Sequence, residues 1–245
     1  MPTDHSLAAP GETYHRLSET QEATDLTPAY LREIYGWAYL SPIGRAVFDH
    51  PLVVSAILWG NYHRLIRAVQ KEISPGARML QAASVYGNLS ARLATTITSK
   101  GKLDIIDVAP IQVEHCRRKL KNYSHAHVFL GNAVSPPEGP YDVVCSFFLL
   151  HEVPEEYKHR IVDALLSRVT PGGKAVFIDY HKPKWWNPLR PIISLVFATL
   201  EPFASTLWRR EIQSYASTQA EEFAWTKTTY FGGLYQKIIA TRRSF

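Results

Sequence analysis

The chain has 245 residues, with 27 lysines and arginines against 22 aspartates and glutamates, a formal net charge of +5. Hydrophobic residues make up 46% and charged residues 20%, which excludes a disordered chain. The charge surplus is confined: residues 1–181 hold 18 basic and 18 acidic residues, whereas 182–210 holds Lys182, Lys184, Arg190, Arg209 and Arg210 against Glu201 alone. That excludes a chain basic throughout, and no nucleic-acid partner is expected.

Residues 1–26 are polar, with Pro2, Pro10 and Gly11, and read as a mobile lead-in with no apolar core of a signal peptide. N-terminal helices are expected over 27–75. Thr27-Pro28 suits a helix start, with Tyr30, Ile34, Trp37 and Ala38 at helical spacing. A second helix is expected from Leu52 to Ile73, where Val53, Val54, Ile57, Leu58, Leu65, Ile66 and Val69 fit a 3.6-residue period; Ser74-Pro75-Gly76 ends it. From Arg78 the texture changes. Strands are expected at 78–83, 102–107, 127–130, 141–146 and 174–180, with helices at 88–99, 110–121 and 154–169 between them. Strands alternating with helices of this length predict βαβ units and a parallel sheet. Two final strand-like runs, 222–229 and 234–240, flank Tyr230-Phe231-Gly232-Gly233 and predict a hairpin. Cys116 and Cys145 lie in unrelated contexts and suggest neither a disulfide framework nor a zinc site, but buried thiols in a reducing compartment. No run of 18 apolar residues lacks both charge and proline, so no spanning helix is expected.

The first strand-to-helix turn, Gln81-Ala82-Ala83-Ser84-Val85-Tyr86-Gly87-Asn88, should lie at the carboxyl edge of the sheet, where such folds bind ligands. In place and rhythm it resembles the cofactor turn of class I S-adenosylmethionine-dependent methyltransferases. That family has an acid followed by G-x-G-x-G; here Gln81 takes the acid's position, and Ala83, Val85 and Gly87 those of the glycines. Further matches follow in order. Asp107 ends the second strand, 20 residues after Gly87, where an acid accepts ribose hydroxyls. Gly131-Asn132-Ala133 resembles the family's G-D-A, with Asn132 replacing the acid. Tyr141-Asp142-Val143-Val144 resembles its F-D-x-V strand entry, Ser146 to Glu152 its strand-4 exit, and Val169-Thr170-Pro171-Gly172-Gly173 its turn before strand 5. The expected fold is therefore an α/β, Rossmann-like class I methyltransferase domain over 76–245. Its sheet should be seven-stranded and mostly parallel, ending in an antiparallel hairpin, with 182–215 as a substrate- or membrane-facing insertion.

With the altered turn, Asp107-Val108-Ala109-Pro110 and the Phe-Gly-Gly hairpin, the chain resembles the rhodoquinone-biosynthesis methyltransferase-like family (RquA) over most of its length from about Leu31. The resemblance implies an enzyme that replaces a methoxy group of ubiquinone by an amino group, with S-adenosylmethionine as nitrogen donor and a divalent metal such as manganese. The alternative is a conventional methyltransferase acting on a quinone, phenol or other lipophilic small molecule; a cofactor-dead protein on the same fold is the third reading.

The cofactor-binding residues expected are Gln81, Ala83, Ser84, Val85, Gly87, Asp107, Val108, Asn132, Ala133 and Phe147. His151, at the mouth of strand 4, suits proton transfer near neutral pH or a hydrogen-bonded pocket wall. Tyr86 suits contact with cofactor or quinone, or a plug of the turn. Asp179 and His181, at the exit of strand 5, offer a carboxylate and an imidazole to a metal, or form a polar loop. In 182–210, Trp185, Trp186 and basic residues flank an apolar stretch broken by Glu201-Pro202, the composition of a segment lying on a membrane; a substrate lid or a plain helical cap is also compatible. The expected location is cytoplasmic, peripherally associated with the inner membrane.

Overall fold

A computed structural model describes residues 51–217 and 219–244. The expected lead-in and the Thr27-Pro28 helix lie outside them. The long helix expected over 52–73 is two helices, α1 (Pro51–Ile57) and α2 (Tyr62–Gln70). The break has a local cause. Trp59 and Gly60 take φ of +50° and +77°, and the Gly60 N–H returns to the Ser55 carbonyl at 2.7 Å, capping α1.

The alternation that follows is β1 (Arg78–Ala82), α3 (Leu89–Ile97), β2 (Lys102–Asp107), α4 (Pro110–Lys119), β3 (Ala126–Leu130), β4 (Tyr141–Phe147), α5 (Glu155–Ser167) and β5 (Val169–Tyr180). Then come α6 (Arg190–Thr199), three 3₁₀ turns, and the hairpin of β6 (Phe223–Tyr230) and β7 (Tyr235–Arg242). The seven strands order as β3-β2-β1-β4-β5-β7-β6. The first five are mutually parallel; β7 runs antiparallel to β5 and β6. This is the fold the sequence predicts. Most boundaries differ by only one or two residues, but the fifth strand starts earlier: Pro171-Gly172-Gly173, expected before it, lies inside it. Val169 already pairs with Tyr141, the register then shifts, and Gly172 takes φ +76° at the irregularity.

The apolar alternation of the strands builds two cores. Met79, Leu103, Ile105, Val143, Cys145 and Val176 face α2, α3 and α4. Leu80, Ile106, Val144, Ala175 and Phe177 face α5 and the 3₁₀ turns. Tyr62, Leu65, Ile66 and Val69 of α2 are completely buried in the first core, so this helix is part of the sheet's packing. The chain leaves β1 toward β2 on one side and returns as β4 on the other. This reversal opens a crevice at the carboxyl edge between β1 and β4.

Candidate active site

The crevice is an open cleft lined by Ala83-Ser84-Val85, Ile106 to Ala109, Gly131 to Ala133, and Phe148, Leu149, Glu152, Val153 and Ile161. Of the expected cofactor residues, the structure brings Ala83, Ser84, Val85, Asp107, Val108, Asn132 and Ala133 together here. The Asp107 carboxylate accepts the Ser84 N–H (2.9 Å), the Ser84 hydroxyl (2.7 Å) and the Ala109 N–H (2.8 Å). Burial pushes its pKa up against those bonds. The Ser84 hydroxyl is a rotor, so one lone pair of Asp107 can pass to a ribose hydroxyl. Asn132 Oδ1 accepts the Val134 N–H at 3.1 Å, and its second lone pair stays open toward a base.

The remaining turn residues serve the turn. Ala83 occupies φ +63°, a left-handed conformation that favours glycine, at the family's first glycine position. Gly87 (φ +85°) lies against the α2 side chain Tyr62 rather than the cleft, and a Cβ there would overlap the Tyr62 hydroxyl. That hydroxyl accepts the Asn88 N–H at 2.7 Å and donates to the Tyr86 carbonyl at 3.3 Å. Lys119 reaches the Gly87 carbonyl at 2.6 Å. Tyr86 turns out of the cleft onto α4, where Gln112 Nε2 donates to its hydroxyl at 3.1 Å. Gln81 is buried below the turn and donates to the Ala83 carbonyl at 3.0 Å. Its Oε1 is buried without a hydrogen-bond partner among the described residues. Asp107, Asn132, Val108, Ala133 and Ala83-Ser84-Val85 thus present a carboxylate, an amide and backbone groups along one wall of the cleft, donors and acceptors of the kind a nucleoside cofactor such as S-adenosylmethionine needs, whereas Gln81 does not line it.

Phe147 belongs to the core, not the cleft. β4 runs one residue further than expected, so its pleat turns Phe147 inward, and Phe148, at φ +53°, turns out to line the cleft. The Phe148 ring also meets those of His151, Tyr180 and Tyr235 edge-on at 5.7, 5.3 and 5.7 Å. Tyr180 continues to Phe197 of α6 at 5.1 Å, Phe197 to Trp208 at 5.0 Å, and Phe231 stacks on Tyr235 at 6.3 Å. A buried aromatic cluster thus adjoins the cleft through one ring. Two of its polar atoms, the Tyr235 hydroxyl and Trp208 Nε1, are buried without a partner.

His151 is buried at the edge of this cluster. Its Nδ1 lies 3.0 Å from Asp179 Oδ1 and its Nε2 3.8 Å from Glu152. Burial opposes its charge, but Asp179, by proximity and by hydrogen bond, with Glu201 and Glu152, overcomes burial and lifts the pKa to about 9. The Asp179 contact thus favours the charged imidazolium, a form suited to donating a proton, and the same geometry is that of the hydrogen-bonded pocket wall, the other reading of this residue.

Asp179 and His181 do not fit a divalent ion. The Asp179 oxygens already accept the Leu150, His151 and Tyr180 N–H groups and the His151 ring. His181 Nδ1 donates to the Gly233 carbonyl at 2.7 Å, leaving Nε2 to accept from Lys227 at 2.9 Å. Metal ligation needs those lone pairs free, and among the described residues no other His, Cys, Asp and Glu group is grouped to hold one.

Glu152, at the end of the strand-4 exit read from the sequence, lies in the cleft wall; sequence reasoning missed Val153 and Ile161 there, and Tyr180, Phe197, Trp208 and Tyr235 in the aromatic cluster. It also missed Lys158, completely buried on α5, whose ammonium holds the Val153 and Phe203 carbonyls at 2.7 and 2.9 Å. Burial lowers its pKa to about 8.

Comparison with known proteins places this geometry. Residues 79–173, which contain the cleft's β1 to β4 walls, match the family described as a methyltransferase domain. The fold resembles an O-methyltransferase family protein from Burkholderia thailandensis (TM-score 0.64, 13% identity, 95% of this chain and 70% of that one). It also resembles human N-acetylserotonin methyltransferase, solved in complex with S-adenosylmethionine (TM-score 0.57, 15% identity, 95% and 68%). In sequence the chain is 25% identical over 149 residues to the ubiquinone/menaquinone biosynthesis C-methyltransferase UbiE of Shewanella woodyi, covering 58% of this chain. It is 23% identical over 171 residues to the Vibrio vulnificus protein of the same name, covering 66%. The chain spans 57% of the length of the Shewanella relative and 65% of the Vibrio one.

Proposed function

We propose that this chain binds S-adenosylmethionine in the cleft between β1 and β4 and modifies the ring of a lipophilic quinone held in the adjoining aromatic cluster. The observation that carries the reading is the join at Phe148, which lines the cleft and packs into a buried aromatic cluster holding two unpartnered donors. A quinone is a flat ring with two carbonyl acceptors. It would stack on Phe148, the one ring of the cluster that lines the cleft, with the Tyr235 O–H and Trp208 N–H behind it as donors of the kind its carbonyls accept. The cofactor, when bound, supplies an activated methyl group and an amino group. His151, charged and oriented by Asp179, is the acid near the ring, and would stabilise negative charge developing on a quinone oxygen.

The specific reaction in this proposal is replacement of a ring methoxy group of a ubiquinone-like substrate by an amino group. It rests on the resemblance to the rhodoquinone-biosynthesis family and on the departures at Gln81, Ala83 and Val85 from the usual cofactor turn. No step is assigned to manganese, because Asp179 and His181 are occupied. Ordinary methyl transfer is the second reading, favoured by the names of the Shewanella and Vibrio relatives, which are quinone C-methyltransferases.

One incubation separates them. The purified chain receives a ubiquinone with a short tail and S-adenosylmethionine carrying ¹³C in its methyl and ¹⁵N in its amino group. A quinone that loses a methoxy group and gains ¹⁵N supports amino replacement. A quinone that gains ¹³C establishes methyl transfer instead. An unchanged quinone with cofactor bound overturns the quinone reading.

A further inference from the structure

The segment that holds the chain's excess charge also exposes an apolar surface that the fold leaves unused. α6 buries Ile193 and Phe197, one helical turn apart, against the core. Val196 packs half-buried against the same core, whereas Ile192 is 46% exposed, Leu195 65%, and Leu200, just beyond the helix, 54%. Trp185 and Trp186 precede it, 83% and 55% exposed. Lys182, Lys184 and Arg209 are exposed in the same segment, and the Lys184 ammonium lies 5.8 Å from the Trp186 ring centre. Arg210 is engaged with Glu155 at 3.1 Å and is set aside. No helix among the described residues is long and apolar enough to cross a membrane.

Five large apolar side chains exposed within one segment of 16 residues mark a surface that something else covers. Its composition selects the occupant. Aliphatic side chains on one helix, tryptophans beside it and cations around it match the boundary of a bilayer, with the rings at headgroup depth and the charges on anionic lipid. A second copy of the chain would bring the same cations to the same face, with Glu201 as the segment's lone acid, and like charges would oppose the contact.

We propose that α6, with Trp185 and Trp186, lies on the surface of an anionic bilayer, and that its inner face closes the aromatic cluster on that side. Phe197 is the link: it is buried, and its ring lies 5.1 Å from that of Tyr180. A ring delivered from the lipid would then reach the cluster past α6. Lipid binding stands on the surface alone; the delivery clause rests on the quinone reading above.

The test is sedimentation of the full chain with vesicles of phosphatidylcholine alone, and of phosphatidylcholine with about one third phosphatidylglycerol. Binding is expected to the anionic vesicles and to weaken in high salt. Lys182→Gln, Lys184→Gln and Arg209→Gln should each weaken it about fivefold. Trp185→Ser with Leu195→Ser should weaken it at least tenfold. All of these positions are exposed, and S-adenosylmethionine affinity by calorimetry should stay unchanged in every variant. No binding to anionic vesicles, equal binding by the variants, or a dimer in solution that the same substitutions dissociate would each overturn the proposal. Vesicle binding without turnover of any quinone refutes the quinone reading and leaves the lipid surface standing. Turnover of a tail-less quinone without vesicle binding does the reverse.

Discussion

Gly87 and Tyr62 make the sharpest stability test, because the structure couples them at the cofactor turn. Gly87→Ala puts a Cβ at φ +85°, which costs about 1 kcal/mol. That Cβ also meets the Tyr62 hydroxyl, and displacing the ring disrupts the bonds from the Asn88 N–H and to the Tyr86 carbonyl, about 1 kcal/mol each. The single variant should therefore lose about 3 kcal/mol. Tyr62→Phe alone leaves the Asn88 N–H unpaired and should cost about 1–2 kcal/mol. In the Tyr62→Phe background the overlap with the hydroxyl is gone, and a ring no longer held by hydrogen bonds can recede from the new Cβ. Gly87→Ala should then cost little beyond its backbone strain. Urea unfolding of the four proteins gives the coupling, expected at about 1–2 kcal/mol below additivity. Additivity within about 0.5 kcal/mol would refute the claim that Tyr62 is what requires glycine at this position.

Two further outcomes follow from the aromatic cluster. Replacing His151 by Gln removes a group whose folded pKa of about 9 exceeds its unfolded value near 6.5. The wild type's advantage over this variant should be full below pH 6.5 and lost as pH rises through about 9. Its upper bound is about 3 kcal/mol, and a difference that stays flat over that range would contradict the His151–Asp179 pairing. Tyr235→Phe removes a buried hydroxyl without a partner, so the free protein should gain about 1 kcal/mol while the KM for quinone rises. A thermal shift downward, or an unchanged KM, would show that the hydroxyl serves packing alone.

The parallel sheet was legible because its signals are local and repeated. Short β-rich runs at 78–82, 102–107 and 141–147 alternate with helices of ordinary length, and the final hairpin carries its own Gly232-Gly233 turn. The cleft walls were legible for a related reason, since Ser84, Asp107 and Asn132 sit at strand ends that the topology gathers at one edge. What escaped depends on direction or on distance along the chain. Phe147 and Phe148 differ by a left-handed backbone at one residue, which no periodicity reports. Asp179 reads as a ligand until its oxygens are found filled from the Leu150–His151 turn, 28 residues and more away. Tyr62 lies in the expected second helix but outside its list of apolar positions, and its hydroxyl acts 24 to 26 residues further on. Lys158 lies on a helix whose charged residues mostly face solvent, and its burial depends on the carbonyl of Phe203, 45 residues downstream.

The proposed function requires that the cleft between β1 and β4 hold S-adenosylmethionine through Asp107. Calorimetry of the full chain measures this directly. One molecule should bind per chain, and Asp107→Asn, which removes a carboxylate held by Ser84 and Ala109 and poised for ribose, should weaken binding at least tenfold. Absence of binding to the folded wild type, or equal affinity in the Asp107→Asn variant, would contradict it.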